Sequence, residues 1–271
     1  MSGLDGRRIL LAGAGKMGGA LLRGWLAAGV SPRDVTVIDP TPTQEMASYL
    51  IVKNVALNPP AVTPPDVAVI AVKPQLMDEA LPAIAARFGP LTMVVSIAAG
   101  TTIERLATHA GDRAIVRAMP NTPAAIGRGI SVLVANDKTN AKQRALAESL
   151  LAVCGKVEWI GDEGLMDAVT AVSGSGPAYI FLLAECLAAA GVKAGLEQGL
   201  ATRLARETVA GAGELLHQAE EAAATLRENV TSPGGTTAAA LEVLMAPGDG
   251  LGPLMEKAVA AAKKRGRELA G

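Results

Sequence analysis

Seven short apolar runs recur between residues 8 and 160, with helix-like stretches between them. They are RILLA (8–12), VTVID (35–39), DVAVIAV (66–72), LTMVVSI (91–97), RAIVRAM (113–119), ISVLVA (130–135) and GKVEWI (155–160). Each is apolar at consecutive positions instead of alternate ones, which suits strands covered by helices on both faces. Strand and helix in alternation predict a parallel, doubly wound sheet. After Gly161 the pattern changes. Residues 163–271 hold long Ala/Leu/Glu/Arg stretches that favour helix, with helices expected at 163–191, 196–218, 236–246 and 251–268. The first of these is apolar nearly all round, so burial is expected for it. About 110 residues cannot readily cover such a helix, and an interlocked dimer is the natural remedy. The division read from the sequence is 1–161 and 162–271.

Composition narrows the function. Half of the 271 residues are hydrophobic and only 2% aromatic, so the core must be built from Ala, Val, Leu and Met. A net charge of −1 argues against a nucleic-acid partner, which needs clustered positive charge. The one basic cluster, Lys263, Lys264, Arg265 and Arg267, reads as cations closing the last helix. Two cysteines, Cys154 and Cys186, fit a reducing, cytoplasmic setting better than a disulfide framework. The N-terminus does not read as a signal peptide. AYIFLLAECLAAAGV is interrupted by Glu185 and reads as a core helix, so no membrane partner is expected. The two His and two Cys lack ligand spacing, so no metal is expected.

The sharpest motif is Gly13-Ala14-Gly15-Lys16-Met17-Gly18, a G-x-G-x-x-G between a strand and a helix (17–28). Gly13 permits a tight turn, Gly15 lets the backbone approach a pyrophosphate, and Gly18 lets helix pack on strand. The pyrophosphate would sit at the helix N-terminus, where free N–H groups and the dipole favour an anion. Asp39 ends the second strand, where an acidic side chain commonly binds the adenosine ribose and favours NADH. The hydroxyls of Thr41 and Thr43 beside it could accept the extra phosphate of NADPH, so both nucleotides stay open. Two further strand ends face the same crevice, Val72-Lys73-Pro74-Gln75 and Ser96-Ile97-Ala98-Ala99-Gly100, and Pro120 and Pro123 aim Asn121 and Thr122 at it.

The helical half carries two glycine-and-hydroxyl turns, each opening a helix: Ser-Gly-Ser-Gly-Pro-Ala at 173–178 and TSPGGTTAAALEVL at 231–244. Taken together, GAGKMG, AVKPQ, SIAAGTTI, RAMPNTPA, DAVTAVSGSGPAY and VTSPGGTT resemble pyrroline-5-carboxylate reductases across essentially the whole chain. The resemblance implies an α/β protein, an N-terminal Rossmann-like doubly wound sheet followed by an all-α dimerisation domain. It implies hydride transfer from NADPH or NADH to the C5=N bond of 1-pyrroline-5-carboxylate, at a subunit interface of a homodimer or of a higher oligomer built from dimers. Carried over by position, Gly13 to Gly18, Asn58, Ala71, Val72, Lys73, Pro74, Ile97, Ala98, Ala99 and Asn121 would hold the cofactor, with Asp39 and Thr41 at its ribose. Ser175, Ser232, Gly234, Gly235, Thr236 and Thr237 would hold the substrate. Glu220 lies where the family has an acidic residue near it, with adjacent Glu221 an equal candidate. Asp39 departs from the Ser or Asn common in relatives.

That substrate is a small ring with one carboxylate. Bare amides at a helix mouth can hold such an anion. Gly234 and Gly235 let those amides approach without a Cβ, Pro233 halts the preceding helix, and Thr236 or Thr237 serves as N-cap or extra donor. A protonated imine already invites hydride, so a strong general acid is not required. Thr237 is the expected catalytic residue, orienting the ring nitrogen or relaying a proton to it. His109 and His217 read as structural or surface residues. A β-hydroxyacid dehydrogenase would need a Lys-like acid/base in the first interdomain helix, and residues 164–183 contain neither Lys nor His.

Overall fold

The computed structural model describes residues 3–270. The strands are β1 (Ile9–Ala12), β2 (Val35–Ile38), β3 (Ala56–Leu57), β4 (Val67–Ile70), β5 (Met93–Ser96), β6 (Ile115–Met119), β7 (Gly129–Ala135) and β8 (Gly155–Trp159). The helices among them are α1 (Lys16–Ala27), α2 (Gln44–Lys53), α3 (Met77–Ala85), α4 (Ile103–Ala110) and α5 (Ala141–Ala152). The strands form one sheet in the order β3-β2-β1-β4-β5-β6-β7-β8. All seven expected strands are present. The two-residue β3 is too short to leave a hydrophobic signature. One direction differs from the expectation: β7 runs antiparallel to β6, whereas every other pair is parallel. Between β6 and β7 lies only a single 3-10 segment, Thr122–Ile126, and a parallel return needs a longer crossover.

Consecutive strand residues serve opposite faces of the sheet. Leu11, Val37, Val69, Val95 and Val116 pack with α1, α2 and α5, whereas Leu10, Ala68, Ile70, Val94 and Ile115 pack with α3 and α4. On the first face Trp25 is fully buried and its indole Nε1–H donates to the Leu150 carbonyl at 2.9 Å, tying α1 to α5. Burial of a side chain of this size contributes roughly 2–3 kcal/mol. The two-sided core holds the carboxyl ends of β1, β2, β4 and β5 in register, and those ends carry the candidate nucleotide residues.

Beyond β8 the chain is helical: α6 (Met166–Val169), a π-helical turn at Thr170–Gly174, α7 (Gly176–Lys193), α8 (Gln198–Gln218), α9 (Ala223–Asn229), α10 (Thr236–Leu244) and α11 (Leu251–Ala270). The chain divides into two compact units, Met1–Gly174 with Lys263–Gly271, and Ser175–Ala262. In the second unit α7 and α8 pack together around Ala201 and Ala205, its only buried apolar side chains among the described residues. The expected burial of the apolar helix does not occur within one chain: Phe181, Leu182, Leu183 and Leu187 of α7 are all exposed. Glu163–Lys193 is also the one run among the described residues long and apolar enough to cross a membrane.

Candidate active site

The glycine turn is built by close approach. Gly13 has φ +90°, and a Cβ there would lie 2.7 Å from the Ala71 carbonyl oxygen. At Gly18 a Cβ would lie 2.1 Å from the Gly13 carbonyl oxygen, so α1 can press on the turn only without a side chain. Gly15 is different. It is the N-cap of α1 and makes no side-chain cap bond, and a Cβ on it would meet nothing within 4 Å. Its bareness serves no neighbour in the chain. An open face in front of a helix N-terminus, with Lys16 exposed at the first helical position, is a cradle suited to a pyrophosphate. The helix dipole disfavours a cation at that position, and a bound anion offsets the cost. The dinucleotide therefore fits the residues present.

The neighbouring strand ends converge on this turn. Asp39, just past β2, accepts the Ala14 N–H on Oδ2 at 2.8 Å and the Thr41 N–H on Oδ1 at 3.0 Å. Asn58, in the left-handed region at φ +48°, grips Asp39 on both sides: its Oδ1 accepts the Asp39 N–H and its Nδ2 donates to the Asp39 carbonyl. Ala71 and Val72 follow β4, where the Ala71 N–H donates to the Ala12 carbonyl, and exposed Lys73 leads into Pro74. After β5, Ile97 and Ala98 are buried while Ala99 reaches the surface. Asn121 Oδ1 accepts the Ile130 N–H at 3.0 Å, closing the β6–β7 connection. Behind the β5 loop, Arg117 of β6 is buried and ion-paired to Glu163 at 2.8 Å. Nothing in the sequence pattern marks that pair, whose members lie 46 residues apart.

In the second unit, Ser232 to Gly235 form a turn in which the Gly235 N–H donates to the Ser232 carbonyl at 3.0 Å. Pro233 stands at its second position and Gly234, at φ +68°, at its third, the arrangement of a type II turn. Gly235 caps α10 without a side-chain bond, so neither Thr236 nor Thr237 is the N-cap: they are the first two residues of the helix. With the Gly235 amide spent on the turn, the first-turn donors are the amides of Thr236, Thr237 and Ala238. Ala238, with no side-chain chemistry, leaves no functional signal in the sequence. Thr236 is exposed and Thr237 half-buried. Ser175 precedes α7, also without a side-chain cap bond. Glu220 is exposed in the connection between α8 and α9. Among the described residues no three His, Cys, Asp or Glu side chains gather as a metal would require.

Comparison with known proteins bears on both halves. Residues 163–269 match the pyrroline-5-carboxylate reductase dimerisation family, and residues 8–100 match a family described as NADP oxidoreductase coenzyme F420-dependent. The chain is 42% identical to the pyrroline-5-carboxylate reductase of Pseudomonas aeruginosa, over 97% of each. It belongs to the pyrroline-5-carboxylate reductase family. The fold agrees: the reductase of Coxiella burnetii is 33% identical with a TM-score of 0.90, covering 98% of this chain and 99% of that one. The Plasmodium falciparum reductase, solved with NADP bound, is 27% identical with a TM-score of 0.80 over 98% and 99%. Pyrroline-5-carboxylate reductases are oxidoreductases. The α/β sheet with a C-terminal helical dimerisation region is their architecture.

Proposed function

We propose that this chain reduces 1-pyrroline-5-carboxylate to L-proline with NADPH or NADH, the closing step of proline biosynthesis. The observation that carries the reading is the presence in one chain of two bare helix mouths of different kinds. One, at Gly15, faces open space beside a ribose-binding carboxylate. The other, at Thr236, is prefaced by Pro-Gly-Gly and bears two hydroxyls. The first suits a pyrophosphate and the second a small carboxylate.

When bound, the dihydronicotinamide supplies a hydride. Residues 13–18, Asp39, Thr41, Asn58, 71–74, 97–99 and Asn121 would hold and orient the dinucleotide that carries it. The amides of Thr236, Thr237 and Ala238 receive the substrate carboxylate, and the absence of side chains at Gly234 and Gly235 leaves their approach open. The Thr237 hydroxyl bonds the ring nitrogen. As C5 of the protonated imine accepts the hydride, the electron pair of the C5=N bond moves to nitrogen, giving a neutral secondary amine that takes its second proton from solvent. Ser175, Ser232 and Glu220 complete the substrate's surroundings. Residues 1–161 are assigned to the nucleotide and 162–271 to pairing and substrate.

The exposed apolar face of α7 and α8 is assigned to a second copy of the chain, in a homodimer. The cytoplasm suits its two free thiols, Cys154 and Cys186. A steady-state assay with the cyclic imine and each nucleotide tests the catalytic reading. Turnover with either is expected; nucleotide binding without any imine turnover rejects it.

A further inference from the structure

Asp39 is a carboxylate held in place, not a mobile one. The Ala14 and Thr41 amides hold its two oxygens, and the Asn58 carboxamide clamps its backbone through bonds of 2.9 and 2.6 Å. The Ala14 contact fixes the charge against the first turn of the glycine loop, the position from which an acidic side chain meets adenosine ribose hydroxyls. A carboxylate offers about four lone-pair sites. Two are taken by amides, so capacity for a pair of hydroxyl donors remains. A 2′-phosphate has no such use for the site. It brings close to two negative charges and acceptor oxygens against a charge that cannot swing away.

The connection from β2 into the first turns of α2 carries no counter-charge for that phosphate. From Asp39 to Val52 there is neither Lys nor Arg. The first turn of α2 instead brings Glu45. Arg23 of α1 is already committed, with Nη2 on Glu45 Oε1 at 2.8 Å and its guanidinium over the Tyr49 ring at 4.0 Å. Of the two threonines that could serve a phosphate, Thr43 accepts the Met46 N–H as the cap of α2, and the Thr41 amide is spent on Asp39. Lys16 stands at the pyrophosphate end of α1.

We propose that this reductase selects NADH over NADPH, that Asp39 sets the preference, and that Asn58 is the positioning residue that holds Asp39 for it. The proposal rests on the assignment of residues 13–18 and 39 to the dinucleotide. It concerns affinity, so it is read without the imine: NADH and NADPH are titrated separately into the full-length protein by calorimetry, at low and at high salt. Wild type is expected to bind NADH at least about tenfold more tightly, a gap that narrows as salt screens the like charges. Asp39→Asn keeps the side chain's shape and an acceptor oxygen for Ala14, and should bring the two affinities to near parity by gaining NADPH. Asn58→Ala should weaken NADH binding and narrow the ratio.

Wild type that binds NADPH as tightly as NADH overturns the preference, whatever the variants do. Asp39→Asn with the wild-type ratio overturns the role of Asp39. Asn58→Ala with a lowered melting point but an unchanged ratio overturns its positioning role. Wild type that binds neither nucleotide overturns the dinucleotide assignment itself, a different failure from any of these.

Discussion

Arg117 Nη1 donates to Glu163 Oε1 at 2.8 Å, and the same oxygen accepts the Ile103 backbone N–H at 2.9 Å. One carboxylate thereby joins the sheet, the start of α4 and the segment leading to α6. The Arg117 side chain is 7% exposed. Removing its partner leaves a guanidinium out of water without a counter-charge, a change that costs about 3–5 kcal/mol when the pair is fully buried. With Glu163 itself 29% exposed, Glu163→Ala is expected at the low end, about 3 kcal/mol. Glu163→Gln, which keeps an acceptor, should lose less. Urea unfolding measures both; a loss in the alanine variant below about 1 kcal/mol would place the pair among weak surface bridges.

The last two glycines of the Gly13–Gly18 turn should separate folding from binding. Gly18→Ala pushes a methyl into the Gly13 carbonyl and should cost about 1–3 kcal/mol of stability. Gly15→Ala meets no neighbour in the chain, so its stability should stay within about 0.5 kcal/mol. Its nicotinamide-nucleotide Kd should nevertheless rise by about tenfold or more, some 1.4 kcal/mol. Equal melting points for the two variants contradict this reading of the turn.

Thr237 lies inside α10 and does not cap it, so stability and catalysis should part at this residue too. Thr237→Val is expected to shift unfolding free energy by no more than about 0.5 kcal/mol and to lower kcat/KM for the imine at least about tenfold. A lost N-cap would instead cost about 1 kcal/mol of stability. Unchanged kinetics remove Thr237 from the reaction.

Acid should find a particular seam between α3 and α4. The Arg105 guanidinium, seconded by His109, holds the Asp78 carboxyl down from 3.8 to about 2. A carboxylate lowered in the folded state contributes stability that is present above its unfolded value, near 4, and is lost as pH falls through about 2. Asp78→Asn should therefore flatten the pH dependence of the urea midpoint between those limits. A variant whose acid limb matches wild type assigns that limb to other carboxylates.

Much of this molecule is written in residue types with strong local preferences. Ile9–Ala12, Val67–Ile70 and Met93–Ser96 are apolar at every position because both sheet faces are covered, and the GAGKMG turn announces itself through three glycines. Other features depend on partners distant in sequence. The direction of β7 follows from the shortness of the 119–129 connection, and its own residues look like any core strand. The expected burial of the apolar helix presumes neighbours that one chain does not supply. At the turn from Ser232 to Gly235, periodicity locates a helix near 236 but does not say that Gly235 is its cap, and so does not show that the hydroxyls of Thr236 and Thr237 are left for other work. Asn58 and Asp39 are nineteen residues apart, and the Asn58 carboxamide meets the Asp39 backbone from a residue in the left-handed region.

The scarcity of interior in the α7–α8 unit turns maturation into a matter of encounter. With two alanines as its buried apolar centre among the described residues, a freshly made copy of the proposed homodimer can finish its sheet unaided, yet has to meet another before its helical end is secure. At a typical docking rate near 10⁶ M⁻¹ s⁻¹, that wait is on the order of a second at micromolar chain and on the order of a thousand seconds at nanomolar. Dilution, more than heat, should be what exposes the greasy helix, and a scarce enzyme of this design would spend a measurable part of its life as a half-made one.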